Sequence, residues 1–248
     1  MTLEFNLETP RHNNTRHRSR TMYWAGSDQR DRWETNLKNP STRQYLEDNG
    51  WLDEHAITYT YNSHGFRTQE LDSTPGYLAL GCSFTEGVGL GEHQIWPTMM
   101  SNMLGARVWN LGIGGASLDT CFRMLDYYIN HMSVMGVFLL QPPQDRFELH
   151  TPNWIKCFIP AMAYNAEDEE IFKSWITDER NSSMNVRKNM LAIKRLCQEH
   201  TVKLVTRQCS ELNAGIPECL ARDMMHFGEK NQKHIADVMY RDWKDVNS

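Results

Sequence analysis

From about residue 76 onward, short apolar runs alternate with longer stretches whose apolar residues recur every three or four positions. Tyr77–Leu80 is an unbroken apolar run between Pro75-Gly76 and Gly81 and predicts a buried strand. Residues 93–104 place Ile95, Met99, Met100, Met103 and Leu104 at helical spacing. Arg107-Val108-Trp109-Asn110 predicts another strand, ending in Gly112. Ser117 stands at the expected N-cap of a helix with Leu118, Cys121, Met124, Leu125 and Tyr128 on one face. Val134–Leu140 is a further buried strand, stopped by Pro142-Pro143. Residues 151–180 show no regular period and predict an irregular, aromatic excursion. Ser182 or Ser183 is the expected cap of a helix that aligns Val186, Met190, Ile193 and Cys197. Val202–Thr206 predicts a strand, and residues 228–243 a last helix with His234, Ile235, Val238 and Met239 at core spacing. Strands alternating with helices imply a parallel sheet covered on both faces.

Residues 1–70 differ. They are polar, rich in Arg, His and Asn, and weakly periodic, so the expected organisation is a polar N-terminal extension over 1–70 and one α/β domain over 71–248. Arg11, His12, Arg16, His17, Arg18 and Arg20 form a basic cluster that reads either as a contact for an acidic partner or as a solvated arm. Asp28, Asp31 and Glu34 offset it and favour the arm. Tyr23, Trp24, Trp33, Tyr45 and Trp51 predict that part of the extension is anchored on the body, because disordered tails rarely hold so many aromatics.

With 248 residues, 40% hydrophobic and 23% charged, the chain is long enough for a sizeable core. A net charge of −5 provides no basic field, so neither nucleic acid nor an anionic membrane is expected as partner. No apolar run approaches the length of about 18 residues that a membrane-spanning helix needs. The first residues lack a basic region followed by an apolar one, and the six cysteines contain no Cys-x-x-Cys pair. A cytoplasmic, reducing location is therefore expected. The histidines outside the candidate site show no metal-ligand spacing, so no metal or organic cofactor is expected. Oligomeric state is not legible.

Two stretches carry candidate chemistry. Gly81-Cys82-Ser83-Phe84-Thr85-Glu86-Gly87 follows the first apolar run, so Ser83 falls on the turn at the carboxyl end of a strand, where open α/β sheets bind ligands. A serine hydroxyl needs a base to accept its proton and donors for the oxyanion that forms. Asp223-Met224-Met225-His226 offers a base and a carboxylate from one loop. At three residues' separation the carboxylate can reach one ring nitrogen while the other points outward.

These stretches resemble the SGNH (GDSL-like) hydrolase superfamily, with matches over roughly residues 60–240. Gly81-Cys82-Ser83-Phe84-Thr85-x-Gly87 is similar to its first block, Gly-Asp-Ser, with Cys82 in place of Asp. Asn110-Leu111-Gly112-Ile113-Gly114-Gly115 is similar to the second block, and Asp223-x-x-His226 to the last. Gly89-x-Gly91-Glu92-x-x-x-Trp96-Pro97 and Asn62-Ser63-His64-Gly65-Phe66-Arg67 also resemble bacterial and phage members. The resemblance implies a three-layer α/β sandwich with a flavodoxin-like sheet, strand order 2-1-3-4-5. It implies Ser83 as nucleophile and oxyanion donor, Gly115 as second donor, His226 as general base and then acid, and Asp223 as its orienting partner. The third block departs: the family's Gly-x-Asn-Asp is absent, and Gln141-Pro142-Pro143-Gln144-Asp145-Arg146 stands instead. Gln141, at the strand end, is the favoured third oxyanion donor, with Gln144 the alternative. The implied activity is that of a serine esterase removing small acyl or acetyl groups, with a small-molecule or carbohydrate ester as partner. An O-acyltransferase to carbohydrate and an inactive SGNH-like binding or assembly module are the alternatives.

Competing readings attach to several of these residues. Cys82 is either a thiol nucleophile or, as favoured, a small buried residue. The elbow Gly-x-Ser-x-Gly fails because Thr85 occupies its last place. Gly112, Gly114 and Gly115 lack the full dinucleotide-loop spacing. Arg67 and Arg146 each read as a ligand for a substrate anion or as a structural ion pair, the latter favoured for Arg67.

Overall fold

The computed structural model describes residues 17–150, 155–159, 165–213 and 219–247. Arg11, His12 and Arg16 of the basic cluster lie outside them. The extension contributes β1 (Thr21–Met22), α1 (Arg30–Lys38), α2 (Pro40–Asp48) and β2 (Tyr59–Thr60), with β1 antiparallel to β2. There follow β3 (Gly76–Leu80), the single turn α3 (Ser83–Glu86), α4 (Trp96–Leu104), β4 (Arg107–Asn110), α5 (Leu118–His131) and β5 (Val134–Gln141). A hairpin of β6 (Phe147–His150) and β7 (Ile155–Phe158) precedes α6 (Ala166–Ile176), α7 (Glu179–Glu199), β8 (Lys203–Gln208) and α8 (Glu229–Asn247).

The central sheet is parallel with order β4-β3-β5-β8. Counting these four in chain order gives 2-1-3-4, the flavodoxin-like order without a fifth strand among the described residues. β3 is buried at all five positions, which is why its sequence is continuously apolar rather than alternating. Its neighbour β5 pairs Leu80 with Leu139, so the carboxyl ends of both strands open on the same edge.

Helices cover both faces. Leu78, Leu80, Val137 and Leu139 face α5 and α7, which supply Cys121, Leu125, Ile193 and Cys197 to one core. Ala79, Phe138, Leu140 and Val205 face α4 and α8, which supply Met100, Ile235, Met239 and Trp243 to the other. A third cluster joins Leu46, Trp51, Ile57, Tyr59 and Tyr61 of the extension to Leu90, Ile95 and Ala221 of the body. Trp51, Tyr59 and Tyr61, with Trp33 and Tyr45 packed against them, thus serve as the packing surface of the extension, while Tyr23 stays exposed; Trp33 also donates its indole N–H to the Trp51 carbonyl at 2.9 Å.

Ser117 caps α5, accepting from the Thr120 N–H at 3.3 Å. Two expectations need correction. The long helix α7 begins earlier than expected and is capped by Asp178, whose side chain accepts from the Arg180 N–H at 2.9 Å; Ser182 and Ser183 lie inside it. Within 151–180, the described residues form regular structure, the strand β7 and the helix α6. α6 buries no residue fully, so its sequence carries no clear apolar stripe.

Candidate active site

The turn after β3 carries Ser83 at the first position of α3, where a helical N–H has no intrahelical partner. Ser83 is 8% exposed. Its Oγ lies 2.7 Å from His226 Nε2. His226 Nδ1 lies 2.6 Å from Asp223 Oδ2. A carboxylate only accepts, so it holds the ring proton on Nδ1 and leaves Nε2 free to take the Ser83 proton. The loop geometry behind this is local. Met224 adopts φ +57, and the curled loop lets Asp223 Oδ1 accept from the N–H groups of Met225 (3.1 Å) and His226 (3.0 Å). Burial pushes the Asp223 carboxyl up, but the hydrogen bond and charge of His226, with the Ser27 hydroxyl, outweigh it and hold the group below its ordinary value.

Two flanking contacts fix the pair. The Phe84 ring lies between Phe227, stacked at 4.2 Å, and the His226 ring at 5.0 Å. Gln232 of α8 donates to the Phe84 carbonyl and accepts from the Trp96 N–H, both at 2.9 Å, and so ties the serine turn to α8 and α4.

Gly115 lies on the turn between β4 and α5 with φ +79, a conformation that itself calls for glycine. A Cβ there would meet Ile159 at an ordinary 3.5 Å, so the backbone angle, not crowding, requires the glycine. This loop is bound to the serine turn. Asn110 Nδ2 donates to the Thr85 carbonyl at 2.9 Å, and the buried Glu86 carboxylate accepts from the Gly114 N–H at 2.6 Å and from Tyr61 at 3.0 Å. At Gly112 a Cβ would fall 2.4 Å from the Glu86 nitrogen, so the two loops touch through glycine. Cys157 of the hairpin donates its thiol to the Gly115 carbonyl at 2.8 Å; burial first, then Glu148, pushes this thiol up to about 12 and keeps it protonated.

Gln141 ends β5, but its amide donates to Thr206 Oγ1 at 2.9 Å. No hydrogen bond joins Gln141 or Gln144 to Ser83, Gly115 or His226. Both line a cleft of about 420 Å³ beyond the ends of β5 and β8, with Leu118, Asp145, Gln208 and Ser210. Among the described residues no lysine or arginine lines it.

Cys82 is buried in the α5–α7 core, away from His226. Arg67 makes no ion pair among the described residues: its guanidinium donates to the carbonyls of Gly87 and Leu90 at 2.6 Å and of Thr58 at 3.1 Å. Arg146 donates to the Ala116 carbonyl at 3.3 Å. Among the described residues no group of three or more His, Cys, Asp or Glu is placed to hold a metal ion, and no helix is long and apolar enough to cross a membrane.

Three site residues gave no signal in the sequence. Ser27 donates to Asp223 Oδ2 at 2.6 Å. Arg222, fully buried, grips Asp28 with its Nε (3.0 Å) and Nη2 (2.7 Å) and lies over the Trp24 ring at 4.2 Å. Glu86 reads as one more polar residue of the turn until its partners are known.

No protein-family model matches the chain, and no curated protein does. Among solved structures, the chain is similar to the psychrotrophic esterase EstA from Pseudoalteromonas sp., at 14% identity and TM-score 0.41 over 71% of this chain and 100% of that one. It is also similar to a lipolytic protein of the G-D-S-L family from Veillonella parvula, at 13% identity and TM-score 0.39 over 67% and 97%. An acetyl xylan esterase from Butyrivibrio proteoclasticus shows 14% identity and TM-score 0.37 over 72% and 66%.

Proposed function

We propose that this protein is a serine esterase of the SGNH type that removes small O-acyl groups through an acyl-enzyme on Ser83. The observation that carries the reading is the continuous hydrogen-bonded chain from Ser83 Oγ to His226 to Asp223, with links of 2.7 and 2.6 Å. Ser83 Oγ attacks the ester carbonyl while its proton passes to His226 Nε2. The C–O bond then breaks, and the imidazolium returns that proton to the departing alcohol. Water, deprotonated by the same nitrogen, releases the acid and regenerates Ser83. Asp223 keeps the ring in register and stabilises its positive charge.

The N–H groups of Ser83 and Gly115 are the proposed oxyanion donors. Gln141 is the proposed third, through the amide hydrogen that Thr206 does not use, and Gln144 is its alternative. The cleft that holds Gln141 and Gln144 is lined by three amides, the Ser210 hydroxyl and the Asp145 carboxylate among apolar residues, and is the proposed place for a neutral, hydroxyl-bearing alcohol half such as an acetylated carbohydrate. The segment before residue 71 is proposed as part of the same working unit, and the six free cysteines suit a reducing compartment.

A fluorophosphonate probe tests the reading. Wild-type protein should be labelled at Ser83, and Ser83→Ala and His226→Ala should not be. Folded wild type that takes no label would leave a binding or assembly module instead. Analysis of products with and without sugar acceptors then separates hydrolysis from acyl transfer.

A further inference from the structure

The amino-terminal extension meets the catalytic loop residue against residue. The Tyr45 hydroxyl donates to the Leu220 carbonyl and accepts from the Leu220 N–H, each at 2.8 Å. Asp28 binds Arg222. Ser27, 196 positions away in sequence, donates to Asp223 Oδ2. That oxygen also receives the His226 Nδ1 proton, and Ser27 Oγ stands 3.3 Å from Nδ1 itself. The serine is set by its own turn. The N–H and C=O of Ala25 and Asp28 bond reciprocally at 3.1 and 3.0 Å across Gly26, which has φ +60. Asp28 is further held by the Tyr59 hydroxyl at 2.6 Å. The turn is therefore pinned on both sides of Ser27 by buried groups, and the hydroxyl points at one carboxylate oxygen.

We propose that Ser27 is a positioning residue for Asp223, so that the extension completes the Ser83–His226–Asp223 relay. The proposal rests on the esterase reading and adds a fourth member to its relay. A carboxylate in a buried site wants all its lone pairs used. His226 and two backbone N–H groups occupy three, and Ser27 supplies the remaining donor. Without it Oδ2 would be held by His226 alone, and the carboxylate's orientation against the ring would rest on the two backbone N–H groups at Oδ1. His226 is the charged neighbour acting on Asp223; the guanidinium of Arg222 is committed to Asp28.

The test compares wild type with Ser27→Ala and Ser27→Thr, using p-nitrophenyl acetate hydrolysis and NMR titration of His226. The alanine variant should melt near the wild-type temperature and lose roughly tenfold in kcat, the scale of one hydrogen bond to a charged group, with KM within about twofold. His226 should titrate at higher pH than in wild type, moving the acid limb of kcat/KM upward, because the carboxylate it faces is less shared. The threonine variant keeps the hydroxyl and should restore both readings. A folded alanine variant with unchanged His226 titration and kcat would overturn the proposal, as would a folded threonine variant that behaves like alanine. Wild type that neither hydrolyses nor labels would sink the esterase reading, while the His226 titration still decides the role of Ser27.

Discussion

Replacing Asp28 with alanine should be among the most damaging single changes outside the relay. The Arg222 guanidinium is 0% exposed and the Asp28 carboxylate 1%. Removing one partner of such a pair leaves an uncompensated buried charge, which costs about 3–5 kcal/mol. In a chain of this size each kcal/mol lowers Tm by about 2–4 °C, so a fall of roughly 6–20 °C is expected. The remaining partners of Arg222 favour the lower half of that range. Arg222 keeps the Glu54 carbonyl at 3.1 Å and the Tyr23 carbonyl at 2.7 Å, and it stays over the Trp24 ring. The Tyr59 hydroxyl, whose pKa burial and then the Asp28 charge hold well above its ordinary value, still accepts from the Gly89 N–H but loses its own acceptor, and this stranded donor adds to the cost. Calorimetric melting of wild type, Asp28→Ala and the double variant Asp28→Ala/Arg222→Met is the assay. Methionine removes the stranded charge and fills part of the volume, so the double variant should recover several degrees. A single variant that melts within 2 °C of wild type, or a double variant less stable than the single, would refute the buried-charge account.

Asp223→Asn should keep the fold yet lower kcat by about 10⁴, because the amide permits the wrong imidazole tautomer; steady-state hydrolysis reads this directly. The Asp223 carboxyl is held below its ordinary value near 3.8, so its stabilising contribution is present above that pH and lost as pH falls through the lower folded value. Tm of the wild type should therefore fall more steeply below pH 4 than Tm of Asp223→Asn, and equal slopes would contradict the assignment. Gln141→Ala should reduce kcat by about 10²–10³ if it is the third oxyanion donor; if Gln144→Ala does so instead, the donor is the residue three positions on. Gly112→Ala should misfold or lose activity, since its Cβ would sit 2.4 Å from the Glu86 nitrogen, and circular dichroism with activity shows which.

The centre of the sheet was legible because β3 and most of β5 are buried on both faces and therefore read as apolar runs. The hydrogen-bonded set of Ser83, His226 and Asp223 was legible because Asp223 and His226 are close in sequence and the Ser83 turn follows a clear strand. What escaped is of two kinds. The start of α7 and the helix α6 were hidden because Asp178 outcompetes the two serines as cap and because α6 packs too shallowly to show a stripe. Ser27, Asp28 and Arg222 were hidden because their meaning depends on partners almost two hundred positions away. Arg67 was expected in a structural ion pair, but its guanidinium is spent on backbone carbonyls, partners that no residue type in the sequence announces.

The junction between the extension and the loop that carries Asp223 and His226 is built from contacts far apart in sequence, and that separation predicts an order of events in time. Ser27 and Asp28 are made early and their partners late, and such distant contacts slow folding because loop closure comes before its reward. At a synthesis rate of about 5–20 residues per second, Ser83 leaves the ribosome well before its base exists. Activity should then rise only in the last step of refolding, when both ends of the chain have met. A stopped-flow trace in which hydrolysis lags behind the burial of Trp96 and Trp109 would be its kinetic signature.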